Sequence, residues 1–88
     1  MPENDKTFYA AIEKWGQESQ INQAIEECAE LILILRHLAR GKANIRQVAT
    51  EIADVEIMCG QLRLIFGSWI IDEEKEFKIN RLVKKLEK

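Results

Sequence analysis

Acidic residues stand in two closely spaced groups on either side of the middle of the chain. The first group is the string EECAE, which ends at Glu30, and the second is EIAD, which ends at Asp54. Side chains three residues apart on a helix are neighbours. Each string therefore places a carboxylate pair on one helix face, and carboxylate oxygens are the ligands that Mg²⁺ prefers. The candidate metal ligands are Glu27, Glu30, Glu51 and Asp54.

The two carboxylate pairs stand at matching heights of a predicted helical hairpin. Glu30 lies 11 residues before Gly41, and Glu51 lies 10 residues after it. A short connection makes consecutive helices antiparallel neighbours, so the pairs should face each other. Four carboxylates at one level repel one another unless cations neutralise them. A divalent cation site is therefore predicted.

Two alternatives compete with magnesium. An ordinary solvated acidic face is one, with Arg36, Lys42 or Arg46 as partners of the acids. A di-iron centre is the other, and it needs a Glu-x-x-His motif on each of two helices. The single histidine, His37, follows none of these glutamates at that spacing. The spacing of His37 argues against a di-iron centre, whereas a solvated acidic face remains an alternative.

Helical periodicity and glycine stops predict an all-α fold. We expect one domain, residues 1–88, folded as a four-helix antiparallel bundle with one short helix and three longer ones. Asn44 is a good N-cap for the third helix, with Gln47 at the capping-box position. No alternating run of β-branched residues predicts a strand. The expected helices are about 7–15, 18–40, 44–66 and 72–87.

Apolar stripes on the second and third helices are expected to face the core. Cys28 and Cys59 belong to these stripes and are expected to be buried free thiols, without a disulfide or zinc site. The stripe of the second helix is Ile21, Ile25, Cys28, Ile32, Leu35 and Ala39. The stripe of the third is Val48, Ile52, Val55, Cys59, Leu62 and Phe66.

The composition argues against several classes of partner. The net charge of −2 over 88 residues gives no general attraction to nucleic acid. The longest apolar run, residues 31–35, is far shorter than the roughly 20 residues of a membrane span. The chain start lacks signal-peptide character, so a soluble, cytoplasmic protein is expected.

The hydrophobic content of 47% is generous for so short a chain, and this predicts an oligomer.

A helix with EExxE, a short turn and a helix with ExxD together resemble the MazG-like all-α nucleoside-triphosphate pyrophosphohydrolases. The matching segments are residues 26–30 and 51–54, and the resemblance extends over about residues 15–86. It implies cleavage of a nucleoside triphosphate to a monophosphate and pyrophosphate, in house-cleaning of the nucleotide pool. It also implies a homodimer or homotetramer.

The resemblance implies roles for individual residues. Glu27, Glu30, Glu51 and Asp54 would bind Mg²⁺, for which Mn²⁺ can substitute. Glu26 and Glu27 would be the catalytic residues, with Glu26 assisting a further metal or the attacking water. Gln23 and Gln20 stand one and two turns before Glu27 and are candidates for reading a base edge. The fourth helix contributes candidate phosphate ligands at helical spacing, which are Lys75, Lys78 and Arg81.

Two other functions compete with hydrolysis. A helical interaction or regulatory module would carry the same acids on a solvated face without catalysis. A degenerate relative of the enzymes would bind nucleotides without turning them over. Only behaviour towards magnesium and nucleotides separates these readings.

Overall fold

The computed structural model describes residues 2–88, which form four α-helices and no strand. A 3-10 turn, Pro2–Asn4, precedes α1, Asp5–Trp15. The longer helices are α2, Gln17–Ala39, then α3, Ile45–Phe66, and α4, Ser68–Leu86. The predicted all-α, four-helix class is confirmed.

The start of α4 was predicted four residues too late, at Asp72. Gly67, with φ of 110°, is the one residue between α3 and α4, and α4 begins at Ser68. Only glycine adopts such a backbone angle without strain. A one-residue break was sufficient, so the apolar residues 69–71 became helix instead of a connecting loop.

The turn between α2 and α3 is closed by backbone hydrogen bonds. Gly41, with φ of 72°, donates its N–H to the carbonyl of Leu38, and Lys42 donates to the carbonyl of His37. This is the Schellman arrangement of a helix C-terminus, which requires a left-handed residue such as glycine. Asn44 and Gln47 then form the predicted capping box, with both hydrogen bonds at 2.9 Å.

The helices pack as a hairpin of α2 and α3, with α1 lying against both. Phe8 of α1 is buried, and its ring lies where a Cβ would project from Gly60 of α3. The absence of a side chain at residue 60 therefore lets α1 approach α3 closely. The other side chains buried within residues 3–88 are the apolar Ala24, Val48 and Met58 and the polar Gln20 and Gln61.

The faces predicted to form the core are largely exposed in the protomer. Ile25 is 61% exposed, Ile32 is 63% exposed and Phe66 is 61% exposed. The second helix is apolar on more than one side, and the side that carries Ala24 meets α3. Interaxial distance depends on the side chains at the contact, and the small alanine permits a close approach. Periodicity alone does not choose between two apolar sides.

The predicted burial of the cysteines was wrong for the same reason. Cys28 and Cys59 are free, as predicted, but both are exposed because they lie on the uncovered sides of α2 and α3.

The fourth helix touches the hairpin only through α3. It contacts α3 but neither α1 nor α2, and none of its residues is buried. Arg63 fixes its first turns, since its Nη1 atom donates to Asp72 Oδ1 at 2.6 Å and to Ser68 Oγ at 3.1 Å. None of the helices within residues 2–88 is both long enough and apolar enough to cross a bilayer.

The contact between Gly60 and Phe8 predicts that Gly60→Ala destabilises the fold. The new methyl group overlaps a buried ring, and overpacking of this kind costs about 1–3 kcal/mol. Chemical denaturation monitored by circular dichroism measures the change. In a Phe8→Ala background the overlap is gone, and the same substitution should stabilise by up to about 1 kcal/mol through helix propensity. Equal destabilisation in both backgrounds would contradict the close approach of α1.

Candidate metal centre

Three carboxylates from two helices converge near the middle of the hairpin. Glu27 of α2 faces Glu51 and Asp54 of α3, and one oxygen from each lies within 4.8 Å of the others. All three side chains are half-buried. The convergence follows from the sequence, because Glu51 and Asp54 are three residues apart on one helix and the hairpin register brings Glu27 opposite them.

The cluster carries negative charge that no neighbouring group offsets. Glu27 Oε2 and Glu51 Oε2 are shielded from solvent and have no hydrogen-bond partner. Within residues 2–88 the one ion pair joins Arg63 and Asp72, so the basic residues considered as partners, Arg36, Lys42 and Arg46, do not neutralise the cluster. A buried unpaired polar atom is costly. A cation or a proton bound by these oxygens would offset that cost.

The surroundings of Glu27 perturb the pKa of its carboxyl. Burial, above all, raises the pKa of its carboxyl from the ordinary value of 4.5, and the charges of Glu30 and Asp54 raise the pKa further. Gln23 opposes this shift, since its Nε2 donates to Glu27 Oε1 at 2.9 Å. Gln23 thus holds one oxygen of Glu27, while the other stays directed into the cluster without a partner.

Gln20, a predicted base contact, lies within the packing of the hairpin. It is buried, and its Nε2 donates to Gln61 Oε1 at 2.7 Å. Sequence reasoning missed Gln61, although a signal was present. Gln20 stands 21 residues before Gly41 and Gln61 stands 20 after it, the same offset that pairs Glu30 with Glu51. The register that predicted the acid site also predicts this amide pair.

The remaining predicted site residues lie outside the cluster. Glu30 is exposed, although it is near enough for its charge to raise the pKa of Glu27. Glu26 is exposed and is not part of the three-carboxylate group. The predicted phosphate ligands are exposed on α4, a helix without contact to α2, and are Lys75, Lys78 and Arg81.

The donor set and spacing fit Mg²⁺ or Mn²⁺. Opposite ligands of a magnesium ion, each at 2.0–2.1 Å, lie about 4.2 Å apart. At least two of the three oxygen pairs must be adjacent in such an octahedron, at about 2.9 Å. The three oxygens, all within 4.8 Å of one another, would therefore move closer together to share one ion. The absence of nitrogen and sulfur donors from the cluster also favours a hard cation over zinc or iron.

Comparison with known proteins gives no further assignment. No protein-family profile matches the chain, and no curated protein or solved structure does either. The likeness to the MazG-like enzymes thus stays a prediction from the acidic strings.

Magnesium should stabilise the protein if the cluster binds it. Saturation at ten times Kd adds about 1.4 kcal/mol, which corresponds to a rise in Tm of about 6–11 °C for a domain of this size. Thermal unfolding with magnesium and with EDTA measures the effect. Asp54→Asn should abolish the rise, and Gln23→Ala should weaken magnesium affinity by about 10- to 100-fold because it frees Glu27 from its orienting bond.

Glu56→Gln is the matched control for these substitutions. It removes the same charge from an exposed position of α3 outside the cluster, and it should leave the magnesium effect intact. An equal loss in Glu56→Gln and Asp54→Asn would mean that magnesium responds to overall charge and not to the cluster.

The raised pKa of Glu27 predicts a pH dependence of the metal-free protein. Folding favours the protonated carboxyl. Its stabilising contribution is therefore complete below pH 4.5 and is lost as the pH rises through the raised pKa. Glu27→Gln keeps a neutral group that still accepts from Gln23, so its stability relative to wild type should increase from pH 4 to pH 7. Urea unfolding in EDTA across that range tests this, and a difference that does not vary with pH would contradict it.

Proposed function

We propose that this chain is a magnesium-dependent nucleoside-triphosphate pyrophosphohydrolase. It converts a nucleoside or deoxynucleoside triphosphate and water into the monophosphate and pyrophosphate. The anhydride bond between the α- and β-phosphates breaks, and its bridging oxygen leaves with pyrophosphate. The proposal combines the acidic cluster with the likeness of residues 26–30 and 51–54 to the MazG-like enzymes.

One observation carries the proposal: Glu27 and Glu51 each hold an oxygen that is buried without a partner. Exposed acids on a solvated face have water as partner and need no cation. Buried carboxylate oxygens from opposing helices, with no basic residue between them, lower the stability of the fold unless something positive binds. A site that carries such a cost is more consistent with function than with structural support.

Bound divalent cations would polarise the phosphoryl oxygens and lower the pKa of a bound water. The residues of the chain would hold these cations and orient them. Glu51 and Asp54 are fixed one turn apart on α3, and Glu27 is held opposite them by its hydrogen bond from Gln23. Such preorganisation is the main contribution of a protein to phosphoryl transfer.

Support for the other residues is uneven. Glu30 lies close enough to Glu27 to act on its pKa, so we place it at the open edge of the site as a further ligand. For Glu26 as a catalytic assistant, and for Lys75, Lys78 and Arg81 as phosphate ligands, the support is the resemblance alone. Gln20 is omitted from the proposed substrate contacts because its side chain is buried in the hairpin, with Gln61 as its hydrogen-bond partner.

A non-catalytic interaction module is the second candidate, and the exposed apolar sides of α2 and α3 favour it. An interaction module needs those surfaces but not the carboxylate cluster. Substitutions in the cluster should leave its binding unchanged, whereas they abolish hydrolysis in the enzyme. The two candidates are therefore separated by the same variants.

Pyrophosphate release should accompany incubation with at least one nucleoside triphosphate when Mg²⁺ or Mn²⁺ is present. A panel of ribo- and deoxynucleotides, with monophosphate formation followed by chromatography, gives both rate and preference. Glu27→Gln and Asp54→Asn should lower kcat/KM by at least about 100-fold, since loss of a group that stabilises transition-state charge costs roughly that much.

Glu56→Gln again serves as control and should retain the wild-type rate. Magnesium stabilisation without release of pyrophosphate from any nucleotide would reject hydrolysis and leave a binding protein. Unchanged activity in Glu27→Gln would reject the site.

A further inference from the structure

The protomer exposes far more surface than a compact chain of its size. Its accessible surface is 7175 Å², whereas a folded monomer of this mass exposes about 5,300 Å². The radius of gyration is 15.6 Å, against about 12 Å for 88 residues in compact form. The surplus of roughly 1,900 Å² lies within the range of about 1,000–2,500 Å² that each copy buries in an obligate homodimer.

Part of this surplus is one apolar groove along the hairpin. It is almost entirely apolar and runs between α2 and the last turns of α3. We call it the hairpin face, and its main residues are Ile21, Ile25, Cys28, Ile32, Leu62 and Phe66. It lies apart from Glu27, which points from another side of α2 towards α3.

A second uncovered apolar stripe runs along α4. Its members recur at intervals of eight, three and four residues, which places them on one side of a helix. We call this stripe the arm face, and it consists of Ile71, Ile79, Leu82 and Leu86. Leu82 is 55% exposed, and the stems of Lys75 and Lys78 flank the stripe.

The arm face cannot cover the hairpin face of its own chain. The connection from α3 to α4 is the single residue Gly67, and Arg63 bonds across it to Ser68 and Asp72. Helices that fold back on one another in a bundle use connections of about 2–8 residues. Two apolar surfaces on one chain are thus kept apart by the bend that joins them.

We propose that two copies of this chain associate by exchanging α4, so that the arm face of each copy packs on the hairpin face of the other. One occupant then covers both surfaces, and the arrangement closes as a two-fold dimer. The dimensions agree, because the arm face spans about 22 Å and the α2 part of the hairpin face about 17 Å at 1.5 Å per residue. The assembly requires neither magnesium nor hydrolysis.

Sedimentation equilibrium of the full chain tests the exchange. Wild type should have the mass of two copies, and Ile32→Glu in the hairpin face should reduce it to one. Leu82→Glu in the arm face should do the same, because every contact between the two copies joins one arm face to one hairpin face. Phe77→Glu is the matched control, since Phe77 is 59% exposed on another side of α4, and it should keep the mass of two copies.

Several results would overturn the exchange. A wild type with the mass of one copy at all concentrations would reject any dimer. Dissociation by Ile32→Glu but not by Leu82→Glu would show hairpin faces packed on each other without the arm. Equal dissociation by Phe77→Glu and Leu82→Glu would show that a charge on any side of α4 disrupts the dimer, and that the arm face is not its specific contact.

Thiol labelling gives a second readout that does not rely on a substituted interface. In Cys59→Ser, which leaves Cys28 as the single thiol, labelling should slow as protein concentration rises because the partner's arm covers the hairpin face. Labelling at one rate over the whole concentration range would contradict the exchange even if the charged variants fail to fold.

Discussion

The register between α2 and α3 is the constraint on which every other feature of this molecule depends. A slip of one residue would separate Gln20 from Gln61 and Glu27 from Glu51 and Asp54. The two polar groups act in opposite directions on that register. The amide pair is satisfied and buried, and it rewards the correct alignment. Two oxygens of the acid cluster have no hydrogen-bond partner. Correct alignment therefore brings the carboxylates into mutual repulsion unless a cation is present.

This opposition explains why the middle of the hairpin departs from the ordinary pattern of a helical core. Apolar residues of the right size at positions 27, 51 and 54 would pack without charge repulsion. Exchange of a buried ionic group for apolar residues is often neutral or stabilising. The carboxylates are therefore a local cost that the small core, with Phe8, Ala24, Val48 and Met58 as its buried apolar members, must offset.

The sequence was sufficient to predict the helices and the convergence of the carboxylates. It was insufficient to predict which apolar sides of the helices are buried. The turn chemistry of Gly41 and Asn44, together with helical spacing, predicted the hairpin and hence the convergence of three of the four carboxylates. Glu30 lies outside the cluster because spacing defines a helix side only to within a wide arc. The exposed stripe with Ile25 and Ile32 was assigned to the core because periodicity reports that a side is apolar, not what covers it.

The Schellman turn at Gly41 also bears on the order of events during folding. Contacts that close short loops form most readily, because the entropy of loop closure increases with the number of residues enclosed. A hairpin that closes from this turn outward reaches Glu51 and Asp54 against Glu27 before it reaches the amide pair, whose members are 41 residues apart. The growing hairpin thus meets electrostatic repulsion midway, ahead of the contact that secures its far end. Divalent cations would then act on the rate of folding as well as on its equilibrium.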